Sequence, residues 1–309
     1  MTHDRLLLGV DLGGTKIEAA LLDGNGTVLH SLRTATPAND YPGLLAKVAR
    51  LCDDLEAAVG LNTRLPLGIC TPGSPSPDTG LMRNCNSTAL NGSLLGNDLQ
   101  NHCQRPIRMA NDGDCLVLSE ARDGAGRSAQ SVFGVILGTG VGGGLSINGN
   151  LLQGPNAISG EWGHNPMPLA RLSGQPDELK RARPCYCGRD DCIETWLSGA
   201  GLALTHEQLH GESVELRQLL EQQFDSKHRQ TLDIYVRMLA LALAGIINVV
   251  DPDVVVFAGG LSNIKLIFQA VPELLKQEIF SDVCRTQLRA AQHGDSSGVR
   301  GAARLWENV

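Results

Sequence analysis

The chain opens on an apolar run, residues 6–10, that stops at Asp11, two glycines and a threonine. A short apolar run bounded by turn residues reads as a buried strand. The pattern returns 125 residues later, in residues 131–140. Aligned without a gap, Gly9 falls on Gly134, Val10 on Val135, Leu12 on Leu137 and Gly13 on Gly138, and the turn Gly24-Asn25 falls on Gly149-Asn150. Each copy reads strand, glycine turn, strand, Asn/Gly turn, strand. Two copies predict two related lobes, each presenting a glycine turn to one shared cleft. They differ in content: the first carries Asp11, whereas the second has Ile136 there, followed by Thr139 and the glycines 142–144.

Between and after the copies, the apolar periodicity predicts further elements. Residues 27–33 read as a strand. Residues 42–60 read as an amphipathic helix, with Leu44, Leu45, Val48, Leu51, Cys52 and Leu55 on one side. Residues 65–70 form a short apolar strand leading into the turn-rich Thr71-Pro72-Gly73-Ser74-Pro75. Residues 107–110 form a strand that ends at Asn111-Asp112 and enters a helical pattern from Cys115. Helices are expected at 198–209, 214–224 and 227–250, the last apolar on most sides towards its end and broken by Asp251-Pro252-Asp253. Residues 254–257 are a buried strand that Gly259-Gly260 turns into another helix. The small residues of 293–303 open a final helix and predict close packing back on the first lobe.

Composition narrows the class. A chain of 309 residues can bury two cores, and 42% apolar with 19% charged residues fits a globular enzyme. A net charge of −7 without a Lys/Arg block argues against a nucleic-acid partner. No apolar run long enough to span a bilayer and no signal-peptide pattern stand out, so neither a membrane partner nor export is expected, and the expected compartment is the cytoplasm. Nine cysteines in that compartment read as reduced core residues or metal ligands.

Candidate chemistry gathers in a few stretches. Glycine turns let backbone N–H groups approach an anion, and an acid beside such a turn can hold a hydrated Mg²⁺. Asp11-Leu12-Gly13-Gly14-Thr15-Lys16 and Gly138-Thr139-Gly140 are the two candidate turns for phosphate. The loop holding Gly73 is a strand-to-strand connection or a place where ligand meets backbone. The amide-rich segment 84–92, including Asn86, is a surface loop or a wall for hydroxyl groups. Asp112 either caps a helix or faces a ligand at the carboxyl end of a strand. Cys185, Cys187 and Cys192, with His164 as a fourth donor, match a closed, structural Zn²⁺ site that would fix Glu161, His164 and Glu194 beside one another. Gly259-Gly260 lies flat against an adenosine or only closes a turn.

Asp11-x-Gly13-Gly14-Thr15, Asn111-Asp112, Gly138-Thr139-Gly140, Glu161-x-Gly163-His164, the three cysteines with Glu194, and Gly259-Gly260 stand in the order of the ROK family, which the chain resembles over nearly its whole length. This family holds sugar kinases, sugar-responsive repressors and open reading frames. The resemblance implies an α/β, two-domain ribonuclease-H-like fold of the actin/hexokinase-like ATPase type, with a small lobe 1–112 joined by the helix 295–309 and a larger lobe 113–294. It implies ATP-dependent phosphorylation of a free hexose. Asp112 would be the general base, while Gly73, Asn86, Asn111, Glu161, His164 and Glu194 would bind sugar, His164 also ligating Zn²⁺. Asp11 would help place Mg²⁺. Gly13, Gly14, Thr15, Lys16, Gly138, Thr139 and Gly140 would cradle phosphates, with Gly259 and Gly260 near adenosine. The stretches 86–92, 161–166 and 293–298 look most like the bacterial fructokinase/mannokinase branch, so fructose is the expected acceptor. N-acetylglucosamine kinase and glucokinase are the alternatives. A repressor is disfavoured because the first strand begins by Leu6, leaving no room for a helix-turn-helix. The proline-bearing segment between His164 and Cys185 is longer than in several relatives and leaves two uses open, a lid or a homodimer contact.

Overall fold

The computed structural model describes residues 5–85, 87–172, 174, 176–220 and 225–307. The chain divides into two compact units. The first comprises Met1–Arg127, Asn150–Ser159 and His293–Val309; the second comprises Ser128–Gly149 and Gly160–Gln292. The division therefore falls after Arg127 rather than after Asp112, because the helix that follows Asp112 packs on the final helix of the first unit.

In the first unit, β1 (Leu7–Leu12), β2 (Lys16–Leu22), β3 (Val28–Ala35), β4 (Leu67–Thr71) and β7 (Ile107–Asn111) form one sheet in the order β3-β2-β1-β4-β7. β1 and β2 are antiparallel, whereas β1, β4 and β7 are parallel, so their carboxyl ends lie side by side. Strand alternation sorts β1 between two layers. Leu8, Val10 and Leu12 join the core formed with α1 (Tyr41–Ala58) and α2 (Leu95–Cys103). Leu7 instead meets Val299 and Ala303 of α9 (Ser297–Arg304). On that second face α9 lies so close that a side chain on Gly9 or Gly68 would collide with its backbone, at Val299 and Ala302 respectively. α3 (Asp112–Asp123) packs against α9, with Gly301 against the backbone of Cys115. The small residues of the last segment thus serve the close packing that the sequence predicts.

The loop after β4 is more ordered than expected. Two-residue strands β5 (Ser74–Pro75) and β6 (Met82–Arg83) pair antiparallel. The connection after the second sheet hairpin contributes β10 (Asn150–Leu151).

In the second unit, β8 (Ser131–Leu137), β9 (Val141–Ile147), β11 (Val254–Ala258) and β12 (Gln287–Ala290) run in the order β9-β8-β11-β12. β8 and β9 are antiparallel, and β8, β11 and β12 are parallel. Strand by strand this matches β2-β1-β4-β7. Its core packs Phe133 edge-on to Trp162, with Trp196, Tyr235 and Phe257 fully buried. α4 (Glu194–Leu197), α5 (Gly199–His210), α6 (Leu216–Leu220), α7 (Ser226–Val250) and α8 (Lys265–Glu278) complete it. The helix expected over 214–224 is described only as the short α6; residues 221–224 lie outside the described residues. α7 is long and apolar enough to cross a bilayer, yet Leu232, Tyr235, Met238, Leu239, Leu243 and Ile247 face the core of this unit.

Candidate functional site

The carboxyl ends of the parallel strands, the usual ligand edge of an α/β sheet, carry Asp11, Asn111 and Asp112 in the first unit and lead into Gly138 and Gly259 in the second. In the first unit, Asp11 is the penultimate residue of β1, and Gly13, Gly14 and Thr15 form the turn into β2, where Lys16 begins the strand. Thr36 ties this turn down, its hydroxyl donating to Gly13 O at 2.7 Å and its N–H to Thr15 O at 3.0 Å. Asn111 and Asp112 end β7 and open α3. The helix cap, which the sequence left as one use for Asp112, belongs to Asn111: its Oδ1 accepts from the Asp114 N–H at 2.8 Å. Asp112 sits one residue inside the helix, where the N-terminal partial charge favours an anion.

Period-two alternation turns Asp11 to the α9 face, where a side chain on Gly298 would crowd its carboxylate. Burial raises the Asp11 carboxyl to about 6; the Cys70 thiol opposes this, and the charges of Asp112 and Glu18 add to it. Asp112 is open to solvent at its surface yet recessed among protein atoms, and that loss of water raises its carboxyl, against the hydrogen bond from Gly113 N–H. Two electrostatically coupled acids at one sheet edge fit a divalent cation and a proton acceptor.

Gly73 follows β4 and accepts the Thr71 hydroxyl at 2.7 Å; a side chain there would strike Arg83 O. In the amide-rich loop, Asn91 is an internal brace. Its Oδ1 accepts from Cys85 N–H at 2.9 Å and its Nδ2 donates to Cys85 O at 3.0 Å. Asn86 lies outside the described residues.

In the second unit, Gly138-Thr139-Gly140 joins β8 to β9 and is closed by a 3.0 Å hydrogen bond from Gly138 N–H to Gly140 O. Glu194, the first residue of α4, reaches this turn: its Oε2 accepts the Val141 N–H at 2.8 Å. A side chain on Gly140 would lie 2.5 Å from that same oxygen, so the glycine makes room for the carboxylate. Sequence treats the turn and Glu194 as separate features; a link across 53 residues leaves no local pattern. Gly199 N–H donates to Gly138 O at 2.8 Å and begins α5. Gly259 follows β11 with φ 86°, a region glycine reaches without strain, and a side chain there would meet Leu137 O. Gly260 then opens a 3₁₀ turn, Gly260–Asn263, before α8.

Glu161 precedes the 3₁₀ turn Trp162–His164. The donor atoms of His164, Cys185, Cys187 and Cys192 all lie within 4.8 Å of one another. His164 Nδ1 is 3.6 Å from Cys185 Sγ, and Cys187 Sγ is 3.5 Å from Cys192 Sγ. Ligands at zinc bond lengths and tetrahedral angles stand roughly 3.5–3.8 Å apart, so the residues fit that ion. The Arg189 backbone N–H, which the Cys187 thiol accepts, pulls that thiol down to about 6. Arg183 braces the loop from behind, buried and stacked 3.6 Å over Trp196, its guanidinium donating to Thr195 O and Gly201 O at 3.0 Å. A cavity of about 550 Å³ borders this region, lined in part by Thr139, Cys185, Tyr186, Glu194, Ser198 and Leu204.

The ROK family model matches residues 7–309. The chain belongs to the ROK family. It is 37% identical over 299 residues to an N-acetyl-D-glucosamine kinase of Pectobacterium atrosepticum, covering 96% of this chain and 97% of that protein. An N-acetyl-D-glucosamine kinase of Yersinia pseudotuberculosis is 35% identical, with the same coverage. Among solved structures, the ROK hexokinase of Thermus thermophilus superposes with a TM-score of 0.83 at 27% identity, covering 97% of each chain. A ROK glucokinase of Streptomyces griseus, in complex with glucose and AMPPNP, gives a TM-score of 0.75 at 25% identity over 97% of this chain and 99% of that one. The hexokinase-like α/β fold expected from the sequence is therefore the fold of this ROK chain. The Pectobacterium and Yersinia relatives are named N-acetyl-D-glucosamine kinases, not fructokinases or mannokinases, and so agree with the alternative acceptor better than with fructose.

Proposed function

We infer that this ROK sugar kinase phosphorylates N-acetyl-D-glucosamine with ATP. The observation that carries the acceptor is the 36–37% identity over 299 residues to N-acetyl-D-glucosamine kinases. Asp112 accepts the proton of the attacking hydroxyl. Its placement suits that role, since a surface-accessible carboxylate, deprived of enough water to raise its basicity, is a better proton acceptor than a fully hydrated one. Asn111 keeps its Nδ2 for a sugar hydroxyl while its Oδ1 caps α3. Glu161, His164 and Glu194 hold further hydroxyls, and the Val141 N–H fixes Glu194 in place for this.

Backbone at Gly13, Gly14 and Thr15, with Lys16, and at Gly138, Thr139 and Gly140 binds the ATP phosphates, with Gly259 and Gly260 beside the adenosine. Asp11 would hold Mg²⁺, which neutralises the phosphate charge that builds during transfer. His164, Cys185, Cys187 and Cys192 would hold one structural Zn²⁺, which keeps the Cys loop and the Glu161–His164 turn together.

A coupled ATP-consumption assay across N-acetylglucosamine, N-acetylmannosamine, glucose, mannose and fructose tests the acceptor. N-acetylglucosamine should give the highest kcat/KM; fructose in first place would overturn the reading.

A further inference from the structure

Tyr186, between the first two cysteines of the metal loop, is 73% exposed, unusual for so large a ring. Its hydroxyl is nevertheless anchored, 2.9 Å from His164 Nε2, and the two rings meet edge to face at 5.1 Å. The other ring nitrogen, Nδ1, faces Cys185 Sγ in the four-donor cluster. An imidazole that uses Nδ1 as a ligand carries its proton on Nε2, so Nε2–H donates and the Tyr186 oxygen accepts. A sugar hydroxyl would make the same bond to the same proton. Glu161 and Glu194 lie near enough to act electrostatically on the phenol, and Tyr186 and Glu194 line one cavity.

Resting on the sugar site proposed above, we propose that Tyr186 is a positioning residue of that site: its phenol occupies, at His164 Nε2, the place of a sugar hydroxyl, and it is displaced when sugar binds. A protein whose binding-competent state is only part of its population shows an affinity reduced by that fraction. Freeing the Tyr186–His164 bond removes this penalty. Tyr186 therefore sets sugar affinity, and through the bulk of its ring it selects which substituents can enter beside Glu194.

The test is calorimetric titration and steady-state kinetics of the parent, Tyr186→Phe and Glu161→Gln, each with N-acetyl-D-glucosamine and with D-glucose. Tyr186→Phe keeps the ring and loses the competing oxygen, and a net hydrogen bond of ordinary strength predicts sugar Kd and KM lower by about 2- to 10-fold, with the effect on KM rather than kcat. The chain has three tyrosines, and Tyr235 is buried in the core while the Tyr41 hydroxyl is held by Asp98. Sugar should therefore perturb the tyrosine ultraviolet band of the parent and not that of Tyr186→Phe. Unchanged or weakened sugar binding in Tyr186→Phe overturns the proposal while a loss of binding in Glu161→Gln leaves the sugar site standing. Glu161→Gln binding both sugars like the parent would overturn the site and the proposal together.

Discussion

The two hairpins, β1–β2 and β8–β9, share a frame and differ in what covers it. Gly9 and Gly134 occupy one position of that frame, and each pairs with a parallel neighbour, Gly9 with Gly68 and Gly134 with Val256. On the first sheet the backbone of α9 presses onto Gly9 and Gly68. On the second, Val256 fills its place with a fully buried side chain. The turns diverge in the same way. The first brings an acid, Asp11, to the sheet edge; the second has Ile136 there and receives its acid, Glu194, from a distant helix. A duplicated frame thus carries its own acid at the turn in one copy, while the other takes an acid from a helix 53 residues away. What is shared is backbone geometry; what differs is supplied by residues far away in sequence.

That contrast can be broken deliberately. Gly68→Ala should be the most damaging to stability, costing more than about 3 kcal/mol, because the new methyl meets a backbone carbonyl that cannot yield. Val256→Ala, its counterpart, should cost only about 2 kcal/mol, the usual loss for deleting buried methyls. Denaturant melts of both variants check this; equal costs would mean that α9 does not press on the first sheet as described.

An effect comparable to that of Val256→Ala should come from the ionic staple of the first unit. Asp123 accepts from His293 Nε2 at 2.9 Å, Arg300 at 2.8 Å and Arg304 at 2.6 Å, joining α3 to α9. Asp123→Asn should cost about 2 kcal/mol, since hydrogen bonds to a charged group are lost or weakened.

The pH response should separate the units, with less than either substitution at stake near neutrality. These partners hold the Asp123 carboxyl well below the usual carboxylate range despite its burial. Its stabilisation is complete above the ordinary carboxylate value and is lost as pH falls through the lower folded value. In the second unit, burial depresses His206, and His210 and His228 add to this while Glu212 and Asp225 oppose it. Neutral His206 is the folded form, so stability falls as pH drops below the ordinary histidine value, about 6.5. Hydrogen exchange should find the second unit loosening at a higher pH than the first; simultaneous loosening would refute the assignment. Last, Cys187→Ser should reduce zinc from about one ion per chain and lower the melting temperature of the second unit, as elemental analysis with calorimetry would show. A metal-free parent would exclude the zinc site.

Much of the frame is legible in the sequence because its signals are local. The repeat of residues 6–13 at 131–138, the amphipathic face of α1 and the small residues of α9 are patterns of adjacent positions. The paired strands at Ser74–Pro75 and Met82–Arg83 are not, since two residues carry no periodicity. The cap at Asn111-Asp112 stays open in the sequence because both side chains can cap and only geometry chooses. The hold of Val141 on Glu194, and the meeting of Tyr186 with His164, depend on the Cys loop folding back, which no spacing announces. The acceptor is the least legible feature for a related reason: motifs shared across a family of hexose kinases do not report the group that distinguishes one hexose from another.

The proposed phosphoryl transfer rests on Asp112 as the base, and Asp112→Asn tests it most directly. With N-acetyl-D-glucosamine, calorimetry should find binding close to the parent while kcat falls by about 10²–10⁴-fold, the usual contribution of a positioned base. An Asp112→Asn protein that turns over at the parent rate would contradict the account.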